Sequence, residues 1–231
     1  MNFSEFEAIL SPQRLNRYVS ACSGNTRKAI VLYRYNLQVS QEMFTLVSCF
    51  EVALRNAIDR QLTETFGSDW LRDSIMQGGF FTDPVLKKTK EIIENSYKKL
   101  YHTHSYSHCK LLADMKFGIW KYMFSPIQYR VTGRNLLKIF PNKPRSSAEQ
   151  QYNQTFFFNN LDRVNSLRNR IAHHEPVCFP TGKVVIDTSY LLAIHQKIHT
   201  LFFWMGIDSY SLLYGLDHVK KLCGRIEALK I

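Results

Sequence analysis

Four residues at one predicted helix end carry the side chains that phosphodiester cleavage requires. The stretch SLRNRIAHHEP, residues 166–176, places Arg168, Asn169, His173 and His174 just before a proline. A guanidinium can hold a phosphate through two parallel hydrogen bonds and stabilise charge in the transition state. An imidazole can move a proton to or from an attacking 2′-hydroxyl or a leaving oxygen. Because RNA supplies its own nucleophile in the 2′-hydroxyl, such a pair needs no metal ion.

The same stretch also fits an ordinary solvated helix end. A helix C-terminus favours cationic side chains, so histidines there can simply complement the helix dipole. Polar residues three or four positions apart share one face of the helix: Asp162, Asn165, Asn169 and His173. Arg168 lies roughly 140° around a regular helix from His173. From residue types and spacing alone, an active site and a solvated helix end both remain open.

The positive charge of the chain is concentrated in one segment. The 231 residues carry a net charge of +11, and residues 83–145 hold 13 Lys/Arg against 4 Asp/Glu, giving +9. Aromatic residues such as Tyr101, Trp120 and Tyr122 are interleaved with these cations. Cations beside aromatic rings suit a polyanion whose bases can stack, which predicts RNA binding. A solvated basic face with its aromatics in the core is the alternative.

The cations predicted to bind RNA lie along this segment. They are Lys87, Lys88, Lys98, Lys99, Lys116, Lys121, Arg130 and Arg134.

Composition narrows the class of protein further. The hydrophobic fraction of 45% is typical of globular proteins, and no apolar run approaches the length of a membrane span. The five cysteines are scattered and never form a CxxC, which favours a reducing compartment without disulfides. The N-terminal MNFSEFEAIL carries acids where a secretory signal carries bases. We therefore expect a cytoplasmic protein with no membrane partner.

Hydrophobic periodicity is helical almost throughout, which predicts an all-α fold. Ser11 and Pro12 are typical of a helix start, and Ser40 is expected to cap a helix that ends at Gly67, after a break at 36–40. Further helices are predicted at about these ranges: 84–101, 108–124, 127–139, 188–206 and 209–229, with a turn or short hairpin over 178–187.

One long helix is predicted to carry the candidate catalytic residues. It should begin at the capping serine near 147 and run to about His174. Pro176 disfavours helical geometry at Glu175 and so sets the expected end.

Two other histidine groups have the residue types of a metal site. His195 and His199 are four apart on a predicted helix, as in zinc proteases, but Gln196 stands where the glutamate base would be. We interpret this pair as part of a partly buried helix face. The stretch HTHSYSHC matches no established zinc spacing and is interpreted as a surface loop; it contains His102, His104, His108 and Cys109. We expect neither a metal nor another cofactor.

An ordered set of blocks resembles a known protein family. The blocks are RLNRYV, AIVLYRYNLQVSQEMFTLVSCFEVALRNAID, FGIWKYMF and LRNRIAHHEPV. In this order they resemble the bacterial Abi-like (abortive infection) family, and RNRIAH is similar to the R-x4-H motif of HEPN ribonuclease domains. The resemblance implies an HEPN-like helical bundle that acts as a metal-independent endoribonuclease toxin in phage defence. It also implies a homodimer with a composite active site.

The resemblance gives roles to residues in the R-x4-H stretch. Arg168 and His173 match the paired catalytic residues, and Asn169 matches the polar residue after the arginine. His174 is expected to assist or replace His173 in proton transfer.

A second block lies on an earlier helix. Glu51, Arg55 and Asn56 match the family's acidic-Arg-Asn block, which implies that they face and support the motif helix. A simple i,i+4 pair between Glu51 and Arg55 is the alternative.

The domain organisation follows from these features. We expect one domain over residues 1–231, with bundle helices in 11–66 and 147–206 and a basic helical insertion at about 83–145. Two other functions stay open: an RNA-binding module whose motif is inactive or restrained, and an interaction domain with neither activity.

Overall fold

The computed structural model describes residues 2–230 of the chain. Every regular element in this range is helical, which confirms the all-α prediction and leaves the 178–187 turn without a hairpin. None of these helices combines the length and apolarity that a membrane span requires. All five cysteines are free thiols.

Twelve α-helices and two short 3-10 segments make up the described part of the chain. The α-helices are α1 (Phe3–Leu10), α2 (Pro12–Ala21), α3 (Thr26–Phe66), α4 (Trp70–Asp73), α5 (Lys87–His102), α6 (His108–Asp114), α7 (Phe117–Tyr122), α8 (Pro126–Val131), α9 (Gln154–Ala172), α10 (Ser189–Trp204), α11 (Ser209–Leu212) and α12 (Val219–Glu227). The 3-10 segments are Pro84–Leu86 and Leu136–Ile139.

The chain divides into two compact units. The first contains residues 2–49, 166–202 and 208–230, and the second contains residues 50–165 and 203–207. The basic segment 83–145 therefore lies wholly in the second unit.

Each unit has aromatic residues in its core. In the first, the ring of Tyr18 lies 5.1 Å from that of Tyr33 and 5.2 Å from that of Phe179. In the second, Phe140 stacks on Phe157 at 4.2 Å. Such pairs each contribute about 0.5–1.5 kcal/mol beyond the area that they bury.

Helix α3 runs for 41 residues without interruption, so the predicted break at 36–40 is wrong. Asn36 lies inside the helix, is 4% exposed, and uses its Oδ1 to accept hydrogen bonds from the backbone N–H of Val177 at 2.9 Å and Cys178 at 3.2 Å. Ser40 likewise lies within the helix and does not cap it. Asn36, which indicated a break, instead lies within the helix and holds a loop of the first unit that is distant in sequence.

Helix α9 begins later than predicted. Its first residue is Gln154, because the side chain of Asn153 accepts a hydrogen bond from the N–H of Phe156 at 3.1 Å and so caps the helix. The hydroxyl of Ser147 instead accepts from the N–H of Gln150 in the preceding turn.

Three predicted helices are each divided by a short break, whereas the predicted 188–206 helix is confirmed as α10. The 108–124 region forms α6 and α7, because Met115 adopts an extended conformation with ψ of 133°. The 127–139 region forms α8 and a 3-10 segment, and the 209–229 region forms α11 and α12. Gly215, with φ of 74°, lies in the turn between the last two.

Candidate functional site

The RNRIAH stretch forms the last turns of α9, which end in a closed cap. The N–H of His174 donates to the carbonyl of Ile171 at 2.9 Å, and the N–H of Glu175 donates to the carbonyl of Arg170 at 2.8 Å. This pair of bonds is the Schellman motif, in which the residue after the cap is left-handed. His174 has φ of 56°, as the motif requires. The helix thus ends within two residues of its predicted end.

His174 occupies the position where helices most often place glycine. A residue with a Cβ atom pays about 1–2 kcal/mol for the left-handed conformation. The carbonyl of His174 is held by Nη1 of Arg14 at 2.9 Å. The imidazoles of His173 and His174 are both exposed and make no hydrogen bond to any residue from 2 to 230. Both rings are therefore accessible to a ligand.

The second arginine of the stretch, Arg170, fixes the loop that follows α9. Its Nη2 donates to the carbonyls of Pro176 at 2.6 Å and Phe179 at 3.0 Å, and its Nε lies 3.6 Å from the carboxylate of Glu175. Its side chain is only 15% exposed. Sequence analysis missed this role, because the two carbonyls lie in an irregular loop that no spacing rule connects to α9.

Arg168 differs from Arg170 in having no such partners. It is half-buried on α9, and within the described residues its guanidinium makes no hydrogen bond or ion pair. Asn169 is exposed, and its side chain is equally unbonded in that range. The predicted catalytic residues therefore lie together on the end of one helix in the first unit, with their polar groups unused by the fold.

The predicted support residues Glu51, Arg55 and Asn56 lie on α3, in the second unit, and are partly buried. Nε of Arg55 donates to Oδ1 of Asn56 at 3.2 Å. Their orientation toward the motif helix and their supporting role stay predictions.

Most cations predicted to bind RNA are exposed on the second unit: Lys87, Lys88, Lys98, Lys99, Lys116, Arg130 and Arg134. Two of them form i,i+4 pairs on α5, Lys98 with Glu94 at 2.8 Å and Lys87 with Glu91 at 3.8 Å. Exposed pairs of this kind contribute little to stability, because water screens both charges. A phosphate can therefore displace the carboxylates at little cost.

Lys121 is placed differently from the other predicted RNA-binding cations. It is 6% exposed, its Nζ lies 2.8 Å from Oδ1 of Asp162, and it packs over the ring of Tyr122 at 4.3 Å. A buried ammonium paired in this way is held by the fold, because leaving its partner would uncover a desolvated charge. Lys121 is therefore held within the fold, and its contact with RNA stays a prediction.

The aromatic residues of the basic segment divide between surface and core. Tyr101 and Tyr122 are exposed, where bases can stack on them, whereas Phe117 and Trp120 are buried. The exposed rings thus fit the interpretation of a surface on which bases stack, and the buried rings fit the interpretation of a solvated basic face with its aromatics in the core.

The histidines of the HTHSYSHC stretch differ in their surroundings. Nε2 of His108 bonds Oδ1 of Asp59 at 2.7 Å, and the same oxygen accepts a hydrogen bond from Nε1 of Trp70 at 2.8 Å. His102 and His104 are exposed. In residues 2–230, this stretch contributes to no group of three or more metal-ligand residues.

A family model for Abi-like proteins matches residues 2–178. The chain belongs to the Abi-like protein family. The match covers α1 to α9 and includes the whole RNRIAH stretch. No curated protein and no solved structure matches the chain.

This Abi-like protein also contains a buried polar cluster beyond the matched region. Nε2 of His195 and Nε2 of His199 each lie 2.8 Å from Oδ2 of Asp217 and 3.2 Å from each other. The two histidines are 2% and 4% exposed, so they are buried more deeply than the predicted partly buried helix face. Burial alone would raise the pKa of Asp217, but its hydrogen bonds with both histidines outweigh burial and hold that pKa below its usual range. Asp217 was not found by sequence analysis.

Proposed function

We propose that this Abi-like protein is a metal-independent RNA endonuclease that acts as a toxin in abortive infection, a defence against phage. The observation that carries the proposal is the contrast between the two arginines on the last turns of α9. Arg170 donates hydrogen bonds from Nη2 to two loop carbonyls, whereas the side chains of Arg168 and the nearby His173 have no partner among the described residues. A cation and an imidazole left unused by the fold are available for a phosphate and a proton.

In the proposed reaction, Arg168 holds the phosphate at the cleaved bond and stabilises the charge that develops on its oxygens. His173 transfers the proton: as a base it takes the proton of the 2′-hydroxyl, and as an acid it protonates the leaving 5′-oxygen. The 2′-oxygen forms a bond to phosphorus while the bond to the 5′-oxygen breaks. The products are a 2′,3′-cyclic phosphate and a 5′-hydroxyl, and no metal ion takes part.

The reaction needs a base and an acid, and these are most simply two different imidazoles. His174 of the same chain supplies one solution, since its ring is exposed beside His173. A homodimer that brings two copies of the stretch together supplies another. We propose the homodimer, because the candidate residues lie on an exposed helix end, where a second copy can complete the site.

The basic segment supports RNA as the substrate. Its exposed lysines and arginines are interleaved along the sequence with Tyr101 and Tyr122, whose rings are exposed. Cations bind the phosphates of a single strand, and aromatic rings stack on its bases. In this proposal the exposed cations and rings of the basic segment bind the RNA substrate.

The proposal is tested by comparing the wild type with Arg168→Ala and His173→Ala on total RNA in the presence of a chelator. Arg163→Ala is the control, because it removes a different cation from α9, one that is exposed. We expect RNA cleavage and growth arrest from the wild type and the control, and loss of both in the two test variants. Cleavage and toxicity that survive both test substitutions would contradict the nuclease assignment.

The exposed cations also favour a second function, an RNA-binding module whose motif is inactive or restrained. This alternative predicts that the wild type binds RNA with strong salt dependence but leaves it intact under every condition. Gel-shift and cleavage assays on the same RNA separate the two functions.

A further inference from the structure

The buried cluster of His195, His199 and Asp217 takes no part in the proposed RNA chemistry. The two histidines are one turn apart on α10, so both rings leave the helix on the same face. The carboxylate comes from the segment between α11 and α12 and lies 2.8 Å from Nε2 of each ring. Three atoms that can each ligate a metal ion thus converge inside the first unit.

Hydrogen bonds within the chain satisfy this cluster incompletely. If both Nε2 atoms carry protons, two N–H groups face each other at 3.2 Å. If one of them is unprotonated, its lone pair faces the carboxylate of Asp217. Nδ1 of His195 is buried and has no hydrogen-bond partner in the part of the chain that the structure describes. Neither neutral tautomer of His195 is therefore fully satisfied.

The separations fit a tetrahedral zinc ion. Zinc binds imidazole nitrogen and carboxylate oxygen at about 2.0–2.1 Å, which places neighbouring ligand atoms about 3.3–3.4 Å apart. In the cluster, the two Nε2 atoms are 3.2 Å apart and each is 2.8 Å from the carboxylate oxygen. A small outward movement of the three ligand atoms makes room for the ion.

His199 is already oriented as a metal ligand. Its Nδ1 lies 2.7 Å from the hydroxyl of Ser209, and its ring stacks on Tyr210 at 4.8 Å with an angle of 12° between the planes. When a metal ion replaces the proton on Nε2, the ring proton lies on Nδ1 and is donated to this hydroxyl, which fixes the ring for ligation.

We propose that His195, His199 and Asp217 bind one Zn²⁺ ion. Two imidazoles and one carboxylate favour a first-row transition metal over Mg²⁺, which prefers oxygen ligands. Three protein ligands leave a fourth position for water or a small anion. His195 and Asp217 also line a pocket of about 440 Å³, which includes Lys220 and Lys221, so an incoming anion meets favourable charge.

We propose metal binding at this cluster and assign no reaction to it. In zinc proteases the residue after the first histidine is a glutamate base, whereas Gln196 is a neutral, exposed amide. Since zinc binding is measured without RNA, its outcome is independent of whether the protein proves to be a nuclease.

The proposal is tested first on the untagged full chain after dialysis against a chelator. Calorimetric titration with Zn²⁺, with Mg²⁺ as the control ion, measures the stoichiometry. We expect one Zn²⁺ per chain, a higher melting temperature in Zn²⁺ but not in Mg²⁺, and a tetrahedral visible spectrum with Co²⁺. A wild-type protein that takes up no Zn²⁺ and gives no tetrahedral Co²⁺ spectrum would overturn the proposal.

Variants then locate the ligands. His195→Gln and Asp217→Asn preserve side-chain size, and we expect each to weaken zinc binding by more than about 100-fold, while Ser209→Ala weakens it about 10-fold. The control is His102→Gln/His104→Gln, which changes two exposed histidines and leaves zinc affinity unchanged. Wild-type affinity in both ligand variants, or loss of binding in the control, would contradict the assignment. Circular dichroism verifies folding, and if a ligand variant unfolds, the wild-type Co²⁺ spectrum decides.

Discussion

Arg168 and Arg170 lie two positions apart on α9, and the protein uses them in opposite ways. The guanidinium of Arg170 bonds the carbonyls of Pro176 and Phe179, so it belongs to the fold. The guanidinium of Arg168 has no partner in residues 2–230, so its charge remains for a ligand. The two arginines look alike in the RNRIAH stretch, because their difference depends on a loop whose path no local pattern specifies.

The contrast predicts that the two substitutions differ in their effect on the free energy of unfolding. Arg170→Ala leaves two loop carbonyls without their charged donor, and we expect it to lower the free energy of unfolding by about 2–3 kcal/mol. Arg168→Ala should change it by less than about 0.5 kcal/mol, because a half-exposed residue without partners is removed. Urea denaturation followed by circular dichroism measures both, and an equal loss in the two variants would show that Arg168 is also structural.

The left-handed backbone of His174 gives a prediction that separates the two histidines. His174→Gly removes the strained Cβ atom, and we expect it to raise the free energy of unfolding by about 1 kcal/mol. RNA cleavage should persist in this variant, because His173 is the proposed proton-transfer group. A stable variant without cleavage would assign proton transfer to His174.

At the scale of helices, sequence periodicity located every long helix but placed several boundaries wrongly. The α10 helix and the end of α9 were predictable, because apolar spacing and Pro176 are local signals. The uninterrupted α3 was not, since Asn36 is a weak helix former whose side chain bonds residues far along the chain. The start of α9 was misplaced because serine and asparagine both cap helices, and only the fold determines which of them does so.

The role of Asn36 predicts a large effect of a small substitution. Asn36→Ala leaves the buried N–H groups of Val177 and Cys178 without an acceptor, and we expect a loss of about 2–4 kcal/mol in the free energy of unfolding. Gln38→Ala, an exposed change two positions away on α3, is the control and should be close to neutral. A neutral Asn36→Ala in thermal or urea denaturation would contradict the anchoring role.

At the scale of the whole molecule, the excess positive charge and the candidate functional residues lie in different units of the chain. The excess of positive charge lies in the second unit, while the candidate catalytic residues and the zinc ligands lie in the first. The net charge of the basic segment could be predicted from the sequence, because counting charged residues needs no knowledge of contacts. The zinc cluster was not, since Asp217 is 18 positions from His199 and 22 from His195, and only the fold brings the three together.

The charge distribution predicts how RNA binding depends on salt. Replacing Lys87, Lys88, Lys98 and Lys99 by alanine should weaken RNA binding, and each lost phosphate contact should lower the slope of log K against log salt by about 0.7. Replacement of the buried Lys121 is not part of this set, because its loss would disturb folding. Filter binding across a salt series measures the slope, and an unchanged slope would place the RNA surface elsewhere.

The most direct test of the central claim is the chemistry of the RNA ends that the wild-type protein produces in a chelator. If Arg168 and His173 promote attack by the 2′-hydroxyl, the upstream fragments end in a 2′,3′-cyclic phosphate and the downstream fragments begin with a 5′-hydroxyl. Mass spectrometry of a cleaved oligonucleotide identifies both ends, with circular dichroism verifying that the chelated protein remains folded. Fragments with a 3′-hydroxyl and a 5′-phosphate, or intact RNA, would contradict the account.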